Sequence, residues 1–266
     1  MLVAEKQTDV GVASAAPISA FELNNGVNVG REVLQANIKA NMALGLPLFW
    51  PEKNFGKSIH ILAGGPSAAL YHGERPLMVA GSSHLYAEKQ GFWPDFAVFL
   101  DAKDENTKFV TQAIKGCRYL VASQCSPVFV RHLLDLGCKI ELWHAQQEEN
   151  DDWFGVEPTI WGGSTTTLRC FNIGILLGFE DFHVYGMDSS YSADGVLHPY
   201  EHFDRLHNPT VVTGKDGRKF MCEPWQVKQA VDMLNLVEDF GHLFTVSVYG
   251  DGLIADMLKN RGVEHG

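Results

Sequence analysis

The sequence predicts an α/β fold of Rossmann-like type: a mostly parallel, doubly wound sheet with an N-terminal helical addition and a C-terminal flap or insertion. Three observations predict it. Short apolar runs alternate with helical segments at the spacing that parallel strands and crossover helices need. The first such run, Ile59 to Leu62, leads into a sharp turn, Gly64-Gly65-Pro66-Ser67, with Ser67 where a helix N-cap belongs. Two later runs deliver an aspartate directly after their last apolar residues, Asp101 and Asp188, on the side of such a sheet where ligands collect.

Residues 1–27 read as a loosely ordered N-terminal segment without sustained period, and 28–266 as a single α/β domain. Leu34, Ile38 and Met42 recur every fourth residue and predict the added helix, which ends near Gly45-Leu46-Pro47. Strand 59–62 and a helix after Ser67 come next, then strand 76–80, helix 84–89 and strand 96–100. A helix is expected over 105–115, a strand over 119–122, and a helix opened by Pro127 and closed at Gly137. Strand 139–143 and a polar loop through 153 lead to Trp161-Gly162-Gly163-Ser164-Thr165-Thr166, which opens an apolar helix that stops at Gly178. Strand 182–185 ends in Gly186-Met187-Asp188. Residues 192–222 read as a lid or flap carrying His198, Tyr200, His202 and His207. Helix 223–240, strand 243–248 and a final helix after Gly250-Asp251-Gly252 complete the chain.

Composition narrows the function. The 266 residues carry a net charge of −11, which argues against nucleic acid or an anionic membrane surface as the main partner. Five widely spaced cysteines without a CxxC pair argue against a disulfide scaffold or a structural zinc site, and suit a reducing cytoplasm. The first twenty residues hold no long apolar run, so neither signal peptide nor anchor is expected. The longest apolar window, Cys170–Phe179, is too short to span a bilayer, so no membrane insertion is expected. A homo-oligomer stays open.

The motifs point to a bound phosphate compound. Gly64, Gly65, Pro66 and Ser67 would bring backbone N–H groups to a ligand, as would the helix start at Gly163, Ser164 and Thr165. Plain alternatives stand beside each: a tight connection at the first turn, ordinary N-caps at Ser164 and Thr165, a helix cap at Asp101 and a local turn bond at Asp188. Asp101 and Asp188 would together hold a divalent cation that neutralises phosphate charge. The histidines of the insertion are candidate general acids or bases, with a His198/His202 metal pair or plain exposure as alternatives. GxSxG, a P-loop and a full GxGxxG are all missing, so the nucleophilic hydrolases, P-loop kinases and nicotinamide enzymes that show them are not indicated.

GGPS, PDFAVFLDA, GGSTTTLRCFNIGILLGFEDFHVYGMDSSY, the HPY segment and VYGDGLIADML occur in an order that resembles the 6-hydroxymethylpterin diphosphokinase MptE-like family. That family takes in the motility-accessory-factor proteins linked to flagellin glycosylation. The same skeleton is similar to a small family of bacterial sialyltransferases. The resemblance implies a cytoplasmic transferase that binds a nucleotide donor, either Mg-ATP for pyrophosphoryl transfer to a small hydroxymethyl (pterin-like) acceptor, or a nucleotide sugar for glycosyl transfer. A non-catalytic nucleotide-binding protein is the third reading. Carried onto this chain, Gly64, Gly65, Pro66 and Ser67 match the nucleotide-phosphate turn, and Gly163, Ser164 and Thr165 the second nucleotide contact. His202, with Tyr200, matches the sialyltransferase base, and Asp101 and Asp188 match the acidic strand ends of the MptE-like group, where metal and catalysis meet.

Overall fold

The computed structural model describes residues 3–6, 14–17, 29–51, 55–146, 153–155, 157–199, 209–214 and 216–259. Strands β1 (Val3–Lys6) and β2 (Ser14–Pro17) precede helix α1 (Arg31–Met42). Then come β3 (Ser58–Leu62), β4 (Leu77–Ala80), α2 (Ser83–Gln90), β5 (Phe96–Phe99), β6 (Arg118–Ala122), α3 (Pro127–Asp135), β7 (Lys139–Ala145) and β8 (Thr159–Ile160). The second half holds α4 (Thr166–Leu176), β9 (Asp181–Tyr185), β10 (Thr210–Thr213), β11 (Lys219–Cys222), α5 (Pro224–Phe240), β12 (Thr245–Val248) and α6 (Leu253–Leu258).

Eight strands form one parallel sheet in the order β12-β9-β3-β4-β5-β6-β7-β8. Strands β4 and β5 are buried on both faces, so their sequences run apolar without alternation, as central parallel strands must. From β3 the chain winds outward through β4 to β8, then α4 carries it back to β9 on the other side of β3. This reversal makes the ends of β3 and β9 the switch point of the sheet, the crevice position at which open α/β sheets bind ligands.

A second sheet, β11-β10-β1-β2, is antiparallel. It corrects two expectations, since 1–27 and 192–222 were read without strands. In β10 and β11 burial alternates: Val212, Phe220 and Cys222 are buried while Met221 is exposed. Polar neighbours within the insertion hid that short alternation.

The helix expected after Ser67 is a five-residue 3₁₀ turn, Pro66–Leu70, and the one expected over 105–115 is a 3₁₀ turn at Asp104–Phe109. Side chains have taken the groups a helix ladder would use there. His84 Nδ1 bonds the Phe109 carbonyl at 3.1 Å, His132 Nε2 bonds that of Val110 at 2.8 Å, and Ile114 N–H donates to Tyr119 Oη at 2.9 Å.

Helix α1 closes part of the ligand edge. Asn41, fully buried, donates from Nδ2 to the carbonyls of Ser123 (2.9 Å) and Cys125 (2.7 Å), and Asn37 Nδ2 donates to Gln124 O at 3.1 Å. These carbonyls lie just beyond β6, so α1 caps the edge there. Asn41→Leu keeps the branched shape but strips two buried carbonyls of their donor. It should cost about 2–3 kcal/mol in urea unfolding; a loss below about 0.5 kcal/mol would mean that water replaces the amide. Among the described residues no helix is long and apolar enough to cross a membrane, and all five cysteines are buried free thiols.

Candidate functional site

At the switch point the two strand ends are laced together through the GGPS turn. Ala63 N–H donates to Tyr185 O at 2.8 Å and Gly65 N–H to Gly186 O at 2.7 Å. Asp188 Oδ2 accepts from Ser67 N–H at 2.9 Å and from Ser67 Oγ at 3.0 Å, while Ser67 Oγ also accepts from Gly186 N–H at 2.9 Å. The sequence reading gave these donors to a phosphate. Here the Gly186 carbonyl takes the Gly65 N–H and the Asp188 carboxylate takes the Ser67 donors, so Gly65 and Ser67 build the crevice wall.

Asp188 is buried, and the Gly250–Gly252 loop packs against it closely enough that a Cβ on Gly252 would meet Asp188 O at 2.4 Å. Burial pushes its carboxyl from 3.8 up to about 6; the Ser67 bonds pull the other way, and nearby Asp251 adds to the rise. The folded value lies above the unfolded one, so folding favours the protonated form. Stability is then full below about pH 4 and declines as pH rises through 6, by roughly 3 kcal/mol. Asp188→Asn, which cannot ionise, should flatten that decline in melting temperature between pH 4 and 7. Parallel curves for variant and wild type would show that Asp188 is charged without penalty.

Asp101 lies elsewhere on the same edge. Its Oδ1 accepts from Lys103 N–H at 3.1 Å and its carbonyl from Asn106 Nδ2 at 2.8 Å, so it ties down the turn after β5. Three strand spacings, roughly 14 Å, separate the ends of β5 and β9. Ligands to one cation lie only about 2–2.6 Å from it, so the shared Asp101/Asp188 magnesium site is not assembled. Among the described residues no group of three or more His, Cys, Asp or Glu is placed to hold a metal.

The second turn is also internally bonded. Ser164 N–H donates to Asp232 Oδ2 at 3.0 Å, and Lys228 Nζ bonds Asp232 Oδ1 at 2.6 Å. Thr165 caps α4, its Oγ1 accepting from Leu168 N–H at 3.4 Å and from Gln229 Nε2 at 2.9 Å. The expectation of N-caps is met at Thr165 alone. Thr166 and Thr167 open α4 with backbone N–H groups that have no partner among the described residues, at the positive end of an eleven-residue helix. Thr166 stands near Gly81, just past β4, and so beside the crevice.

From the insertion, the structure brings His198 to the crevice: its Nδ1 bonds the Gly64 carbonyl. A carbonyl only accepts, so Nδ1 carries the proton, and a neutral ring then has its lone pair on Nε2. Tyr200 and His202, the carried-over catalytic pair, lie outside the described residues. The sequence reading named His198 but passed over Asp232 and Gln229, which sit mid-helix in α5 without a local signal.

No family model matches the chain, and no curated protein does. The chain is similar to the structure of a MAf glycosyltransferase from Magnetospirillum magneticum AMB-1, with a TM-score of 0.63 and 12% identity. The likeness covers 86% of this chain and 38% of that one, so the chain spans well under half the length of that protein. At that identity it shows the fold. The α/β Rossmann-like reading stands.

Proposed function

We propose that the chain is a glycosyltransferase that uses a nucleotide sugar, with its site in the β3/β9 crevice. One observation carries this: a histidine, His198, is bonded to the carbonyl of the first turn residue, in a tautomer suited to accept a proton. The MAf glycosyltransferase fold neighbour supports the same class. In this reading the donor's phosphates lie at the open start of α4, at Thr166 and Thr167, beside the wall built by Gly64, Gly65, Pro66 and Ser67. His198 takes the proton of the acceptor hydroxyl as its oxygen attacks the anomeric carbon, and the nucleotide phosphate leaves with the bonding electrons. Pyrophosphoryl transfer from Mg-ATP is the rival. It would need magnesium held largely by the nucleotide itself, because Asp101 and Asp188 are too far apart to share the ion.

The test is calorimetric titration and donor turnover with CMP-, UDP- and GDP-sugars and with ATP, each with and without magnesium. Binding and hydrolysis of one nucleotide sugar support the proposal. Turnover of ATP alone overturns it in favour of pyrophosphoryl transfer, and tight binding without turnover of any donor reduces the protein to a nucleotide-binding one.

A further inference from the structure

The start of α4 and the turn after β9, which carries Asp188, are the ligand-side ends of two consecutive elements. A third element joins them. Gln229, on α5 and only 6% exposed, uses both ends of its amide: Ser189 Oγ donates to Oε1 at 2.8 Å, and Nε2 donates to Thr165 Oγ1 at 2.9 Å. Its first partner is unusual. Ser189 has φ +52°, and among the described residues it is the non-glycine with a left-handed backbone. An L-residue holds that conformation only where its surroundings fix it, and such residues gather at functional sites.

Gln229's second partner is the N-cap whose helix start offers Thr166 and Thr167. The amide is thus a strut of fixed length between the crevice wall and the open helix end. A buried apolar side chain would strip Ser189 Oγ of its acceptor and Thr165 Oγ1 of one of its two donors, and a buried carboxylate would put a charge between them.

We propose that Gln229 is a positioning residue that sets the span between the Asp188 turn and the α4 N-terminus, and so the length of donor the crevice accepts. This rests on the nucleotide-sugar reading of the crevice. It also makes a claim independent of any ligand: loosening the strut loosens both ends together.

Hydrogen exchange on the full chain reads the second claim. Arg169 N–H, bonded to Thr165 O at 3.2 Å, reports the helix start, and Ile254 N–H, bonded to Asp188 O at 3.3 Å, reports the wall. Gln229→Leu should speed exchange at both amides about tenfold or more, while β6 amides keep their rates. Ser189→Ala removes only one hydroxyl, so it guards against a Leu variant that fails to fold; it too should speed Arg169, an amide it does not touch. Faster exchange at one end alone in either variant overturns the proposal.

Calorimetry with the nucleotide sugar that the wild type binds reads the first claim. Each single variant should raise Kd about tenfold, and the Ser189→Ala/Gln229→Leu double variant should be no weaker than Gln229→Leu, because both cut one connection. Additive losses overturn the proposal. If the wild type binds none of the nucleotide sugars, the reading of the crevice falls, and the exchange result alone decides whether Gln229 couples the two ends.

Discussion

Gly65→Ala is expected to lower the melting temperature by roughly 5–10 °C and to abolish nucleotide-sugar binding. Backbone strain is not the cause, since Gly65 sits at φ −80°, which any residue adopts. The cause is close approach. A Cβ there would meet Asp188 Oδ2 at 2.4 Å and Gly186 O at 2.6 Å. Neither can step aside cheaply: Asp188 is held by two bonds from Ser67, and Gly186 O accepts the Gly65 N–H itself. Overpacking of this kind costs about 1–3 kcal/mol or more, and each kcal/mol moves the melting point of a chain this size by about 2–4 °C. Gly30→Ala is the control, with nothing within 4 Å of its Cβ. Scanning calorimetry on both decides it. A Gly65→Ala melting point within about 2 °C of wild type would mean that the wall is plastic.

The same contacts explain what the sequence made legible. Strands announce themselves by continuous apolar runs when both faces are buried, so β4 and β5 could be read to within a residue. The switch point could be located because glycines and an aspartate cluster after β3 and β9. What those residues bond to could not be read. GGPS is the pattern of a phosphate turn, and nothing in the letters says that Asp188, 121 residues away from Ser67, will take the Ser67 N–H. Asp101 and Asp188 look equivalent as strand-end acids, and only strand order places them far apart.

Helix prediction failed for a related reason. The segment 105–115 has no breaker, yet His84, His132 and Tyr119 claim its carbonyls and amides, and all three lie outside the segment. Side chains that replace a helix ladder from a distance leave no periodic trace. Gln229 is the extreme case: a glutamine in the middle of a good helix carries no mark of the two turns it joins.

His198→Asn should cut transfer by roughly 10²–10⁴-fold, the usual worth of a positioned general base, with donor Kd changed by no more than a few-fold. The choice of asparagine is what makes the result informative. Its Nδ2 stands close to where the imidazole Nδ1 stood, so it can still donate to the Gly64 carbonyl and hold the segment on the turn. It has no counterpart to the Nε2 lone pair. Docking survives and proton acceptance does not. His198→Leu removes both and should also weaken donor binding, because the turn carbonyl loses its donor. Steady-state rates and calorimetric Kd values on the pair separate the two roles. Loss of affinity in both variants at an unchanged turnover rate would make His198 a docking residue. Full activity in the Asn variant would remove it from the chemistry and leave His202 as the base that the sialyltransferase resemblance implies.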